Sequence, residues 1–98
     1  MKLQVTPLAA RWFKDEMELK PGDAIRFYTQ LYGSTGTNHH NFSLGIMRDT
    51  PPSNPAVSVE MEGITFFFTE GDKWFLDDYA MTITMENNEI RYVFQEDR

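Results

Sequence analysis

Met61-Glu62-Gly63-Ile64-Thr65-Phe66-Phe67-Phe68 is the stretch on which the reading of the fold turns. Its first three residues read as a tight turn, with a glycine suited to the left-handed backbone that such turns use. The five residues after the turn are β-branched or aromatic and read as a strand. Val57 and Val59, upstream, begin another strand, so the two runs form a hairpin. Successive side chains of a strand point to opposite faces, and three phenylalanines in a row cannot all face one side. Either Phe67 is covered by another layer, or Phe66 and Phe68 are. A sheet covered on one face only would leave aromatic surface exposed, and such patches often mark interaction sites. A plain two-layer core accounts for the run without any function.

Working outward, Asp72-Lys73-Trp74-Phe75-Leu76 reads as a short helical turn. Beyond it, Tyr79 to Met85 and Ile90 to Phe94 flank Asn87-Asn88, a strong turn signal, and form a second hairpin. Towards the N-terminus, Phe42, Leu44 and Ile46 alternate inward. Ala24 to Tyr32 is rich in β-formers, with Ile25, Phe27, Thr29 and Leu31 on one face. The loops between the strands are glycine-containing (33–41) and proline-rich (49–55), and neither is long enough to link two domains. Leu3 to Val5 opens the chain as a short strand. Thr6 then offers a hydroxyl N-cap, and Pro7 suits the first helical position. Leu8, Ala9, Trp12, Phe13 and Met17 recur at helical spacing, and Lys20-Pro21-Gly22-Asp23 stops the helix and turns the chain. Trp12, Phe13, Phe27, Leu44, Ile64 and Ile83 are expected to be buried together. The fold expected is α+β, mainly β, with one amphipathic N-terminal helix and a short second helical turn, as one domain over residues 1–98.

Composition excludes several chemistries. The 98 residues include no cysteine, so disulfides, thiolate zinc or iron–sulfur sites and cysteine nucleophiles are ruled out. The net charge of −6 is uneven. Residues 1–26 carry five Lys/Arg against four Asp/Glu, and residues 27–98 carry four against eleven. Such an acidic body repels phosphate backbones and anionic lipid, so neither nucleic acid nor membrane is an expected partner. No apolar run approaches the ~20 residues that span a bilayer, and the N-terminus lacks a signal-peptide h-region. The expected location is cytoplasmic.

The order of elements resembles the HesB/IscA family of A-type iron–sulfur carriers, and three segments carry the resemblance. They are Val5-Thr6-Pro7-Leu8-Ala9-Ala10-Arg11-Trp12-Phe13, Tyr32-Gly33-Ser34-Thr35-Gly36, and Gly63 to Phe68 followed by Trp74-Phe75-Leu76-Asp77-Asp78. The chain is most similar to the cysteine-less, YneR-like branch. The resemblance implies a HesB/IscA-like sheet core and, more weakly, an accessory role in iron–sulfur cluster metabolism. In the family's carriers, a loop cysteine and a C-terminal cysteine–glycine–cysteine pair hold the metal. Here Ser34 stands at the loop position, and Phe94-Gln95-Glu96-Asp97-Arg98 holds no such pair. A serine hydroxyl is a poor iron ligand beside a thiolate. A cysteine-ligated carrier mechanism therefore does not transfer.

The remaining candidates are weighed on their chemistry. His39-His40 are neighbours that would point opposite ways in an extended segment, so a solvated loop is expected rather than a metal site. Glu70, Asp72, Asp77 and Asp78 surround Trp74 without EF-hand spacing and read as a solvated rim. Ser34 lacks a nucleophile-elbow setting, and the chain is not expected to be an enzyme. No cofactor is expected. Phe67, Trp74 and Phe75 form the candidate interaction surface, for a protein partner, with a homodimer left open. The alternative function is an interaction or structural module that retains only the fold.

Overall fold

The computed structural model describes residues 2–31, 42–76 and 79–96, with the side chains of 30, 31, 42, 43, 75, 79 and 96 left aside. Strand β1 (Lys2–Val5) leads through Thr6 into helix α1 (Pro7–Met17). The Thr6 hydroxyl accepts a hydrogen bond from the Ala9 amide at 3.3 Å, so one N-terminal donor without a helical partner is satisfied. Two placements on α1 differ from the sequence reading. Leu8 is 63% exposed, and the buried stripe is Ala9, Ala10 and Phe13 with Trp12 and Met17 at its margins. The helix also ends before the proline–glycine turn. Glu18 takes the left-handed conformation (φ 52°), and the Leu19 amide reaches back to the Lys14 carbonyl at 2.9 Å. That is a Schellman closure with a glutamate where glycine is usual, and buried Leu19 supplies its apolar contact. The Arg48 guanidinium donates to the Met17 carbonyl at 2.7 Å and neutralises the helix C-terminus. Lys20 to Asp23 then makes the expected turn, with Gly22 at φ +99°.

The other elements are β2 (Ala24–Leu31), β3 (Phe42–Arg48), β4 (Val57–Met61), β5 (Ile64–Phe68), a 3-10 helix (Glu70–Leu76), β6 (Tyr79–Glu86) and β7 (Glu89–Glu96). They form a four-stranded sheet in the order β3-β2-β5-β4 and a three-stranded sheet in the order β1-β6-β7. Both hairpin turns have positive φ at their two central residues, Glu62-Gly63 and Asn87-Asn88, which matches the twist of the strands they join. β2 runs parallel to β5, and β1 runs parallel to β6. The architecture is the mainly β, α+β type expected.

One core fills the space between the sheets and α1. Phe13, Ile25, Phe27, Ile64, Phe66, Phe68, Met81 and Ile83 are fully buried in it, with Trp12 and Leu44 partly buried against it. Phe27 is the hub, its ring 5.5–6.5 Å from those of Phe13, Phe66, Phe68 and Tyr92. Phe67 points the other way and lies outside this cluster, yet it too is fully buried. The run of three phenylalanines is thus covered on both faces. On the outer face, Tyr28 lies across Gly45, and a Cβ there would fall 2.3 Å from the tyrosine ring. That contact requires glycine.

Candidate functional site

The candidate surface is built on the segment that leaves β5. The β2–β5 pairing ends at Phe27 and Phe68, and the next stretch of β2 has lost its neighbour on that side. Asp72 on the 3-10 helix fills part of the gap. One carboxylate oxygen accepts from the Thr29 amide at 3.3 Å and from the Thr29 hydroxyl at 2.9 Å. The other faces the Arg26 guanidinium at 3.4 Å. The Asp72 side chain is only 13% exposed, so this acidic residue is part of the framework and not of a solvated rim. Asp49 approaches the same guanidinium at 3.7 Å, and the buried Arg26 Nε has no partner among the described residues. Leu76, fully buried, anchors the far end of the segment.

Between these anchors the 3-10 helix presents Lys73 and Trp74 to the surface, and Trp74 is 44% exposed. Phe67, grouped with Trp74 in the sequence reading, is corrected. Its ring is fully buried and offers nothing to a partner in this conformation. The Phe75 side chain, Asp77, Asp78, Ser34, His39 and His40 lie outside the described residues. No group of three or more His, Asp or Glu among the described residues is placed to hold a metal ion. A shallow cavity of about 420 Å³ lies beside Gly22, Ala24, Arg48, Asp49 and Pro51. Its three charged lining residues are already engaged, Asp23 with the Lys20 amide, Arg48 with the end of α1 and Asp49 with Arg26. No helix among the described residues is long and apolar enough to cross a membrane.

Elsewhere, burial against the core raises the pKa of the Tyr92 phenol above its ordinary value. Sequence reasoning missed two surface features, Val93 and Phe94 on β7, which are exposed although their strand packs on the core. Residue type gave no signal for them, because valine and phenylalanine in a strand read as core formers.

No family model matches the chain. A pyruvate dehydrogenase inhibitor of Bacillus subtilis is 33% identical over 95 residues, covering 97% of this chain and 98% of that protein. An uncharacterised protein of Staphylococcus saprophyticus is 26% identical over 96 residues, covering 94% of this chain and 97% of its own length. Among solved structures, Escherichia coli SufA, a protein involved in the biosynthesis of iron–sulfur clusters, superposes with a TM-score of 0.59 over 97% of this chain and 80% of its own, at 20% identity. The likeness to SufA is one of fold and agrees with the HesB/IscA-like architecture.

Proposed function

The chain belongs to the family of the Bacillus subtilis pyruvate dehydrogenase inhibitor, and on that premise we propose that it is a non-enzymatic cytoplasmic regulator that docks on pyruvate dehydrogenase through the surface around Trp74. The full-length relationship carries the partner. The geometry supports docking as the means. Tryptophan is enriched among residues that dominate binding energy, and such anchors work best on a pre-ordered element. Trp74 sits on a short helix pinned by Asp72 at one end and Leu76 at the other. Absence of cysteine removes the thiolate route that the fold serves in cluster carriers and fits the cysteine-less branch of that fold family.

The test is a titration of purified pyruvate dehydrogenase with this protein, read as pyruvate-dependent turnover and as binding by calorimetry. Saturable inhibition is expected. Trp74→Ala should weaken it by ~10-fold or more, the effect of losing one anchor worth ≥ ~1.4 kcal/mol. Leu8→Ala, on a separate exposed position, should not. Absence of both binding and inhibition would end this reading. A second reading, an accessory role in iron–sulfur metabolism, is favoured by the SufA-like fold. Capture of cluster-assembly proteins from lysate in place of pyruvate dehydrogenase would select it.

A further inference from the structure

Strand β7 is the outer strand of the three-stranded sheet, and among the described residues no strand pairs with its far side. Val93 is 39% exposed and Phe94 42% exposed. Neighbours in a strand point to opposite faces. Phe94 stands opposite fully buried Met81, on the core side of the sheet, and Val93 stands opposite Thr82, on the outside. A ligand lying on one face would cover one of the two and miss the other. A strand added at the edge covers both. Glu89 to Glu96 contains no proline or lysine and pairs with β6 without a bulge, and of its three charges two, Glu89 and Glu96, stand at its ends. Arg91, the one charge between those two glutamates, is tied to Glu86.

We propose that β7 pairs antiparallel with β7 of a second copy of this chain, about a two-fold axis through Val93. In that register the centre of the strand complements itself, and only the flanking pair, Ile90 against Glu96, is mismatched. Tyr92 faces Phe94 of the second copy, and Phe94 faces its Tyr92, giving two cross-strand aromatic pairs on the core side. Val93 meets Val93 outside, and Arg91 faces Gln95, so no like charges oppose one another between residues 91 and 95. Moving the axis to Phe94 or to Tyr92 would lose the two Tyr92–Phe94 pairs. The resulting contact is isologous and closes at two chains.

Sedimentation equilibrium over a broad concentration range tests the proposal. A monomer–dimer equilibrium is expected, and Val93→Lys should raise the dimer dissociation constant by ~100-fold. Circular dichroism should show the fold of that variant unchanged, since position 93 faces solvent. Because the chain has no cysteine, Val93→Cys creates its only thiol. Directly opposed Cα atoms lie ~4.5–5.5 Å apart, within disulfide range, so mild oxidation should yield a covalent dimer. Arg91→Cys should not cross-link. A protein monomeric up to millimolar concentration overturns the proposal. So does a dimer that survives Val93→Lys, or one in which Arg91→Cys cross-links and Val93→Cys does not.

Discussion

Asp72→Ala should destabilise the protein by about 2–4 kcal/mol, a large effect for a single residue on a short 3-10 helix. The figure follows from what the carboxylate holds. It accepts two hydrogen bonds from Thr29, at 3.3 Å from the amide and 2.9 Å from the hydroxyl. Bonds to a charged acceptor contribute ~1.5–3 kcal/mol each when buried, and the pair here is only partly so, which keeps the sum below the upper limit. The Arg26 contact at 3.4 Å adds little, because the guanidinium side chain is 30% exposed and a second carboxylate, Asp49, remains beside it. Asp72→Asn separates the two contributions. Its amide oxygen can still serve Thr29, so that variant should lose only about 1 kcal/mol. The assay is equilibrium unfolding in urea with an unchanged slope, together with hydrogen exchange at the Thr29 amide, which should lose protection in Asp72→Ala alone. If Asp72→Ala unfolds within ~0.5 kcal/mol of the parent, or if Asn behaves like Ala, the carboxylate is not what ties the segment to β2.

Four further outcomes are expected. Phe27→Ala removes the ring at the centre of the aromatic cluster and should cost ~3–5 kcal/mol by denaturant unfolding, and a loss below ~1 kcal/mol would contradict the packing described. Glu18→Gly should raise stability by roughly 1 kcal/mol, because glycine adopts the observed positive φ without strain, whereas an unchanged or lower midpoint would argue against the Schellman closure. Burial holds the Tyr92 phenol above its ordinary value of 10.0, so the folded state retains this proton more tightly than the unfolded chain. The associated stability is complete below pH 10 and is lost as pH rises through the folded value, and Tyr92→Phe should remove that alkaline step from a pH series of thermal midpoints. Anaerobic incubation with iron and sulfide should leave the protein colourless, since a cluster needs thiolates and the chain has none. A stoichiometric visible absorption band would require a ligand set that the sequence does not contain.

Local chemistry made much of the fold legible. Thr6-Pro7 marked the start of the helix, Asn87-Asn88 and Glu62-Gly63 marked the hairpins, and alternation put Phe27, Ile64 and Ile83 in the core. What escaped was non-local or unsignalled. The helix ends at Met17 because Glu18 accepts a strained backbone, and nothing in its side chain announces that. Leu8 fits the apolar stripe by type but sits one position off the buried face that Ala9, Ala10 and Phe13 define. Phe67 was ambiguous for a stated reason, since alternation says that it opposes Phe66 but not what covers it. Asp72 and Thr29 are 43 residues apart, so their bond cannot be read from spacing. Of the candidate surface, Trp74 is exposed as expected and Phe67 is not.

The core belongs to the fold that this chain shares with SufA. The residues buried together come from β1, α1, β2, β5, β6, the 3-10 helix and Leu19, just after α1. Ser34, at the position where the resemblance to the carriers places a loop ligand, lies outside the described residues. The strands flanking that position, β2 and β3, are joined by a continuous register from Ile25–Arg48 to Leu31–Phe42, so sheet pairing fixes their relation. Function resides in sites carried by a fold more than in the fold itself. Likeness to SufA in architecture and membership of the inhibitor's family in sequence are thus compatible, because the first concerns the fold alone.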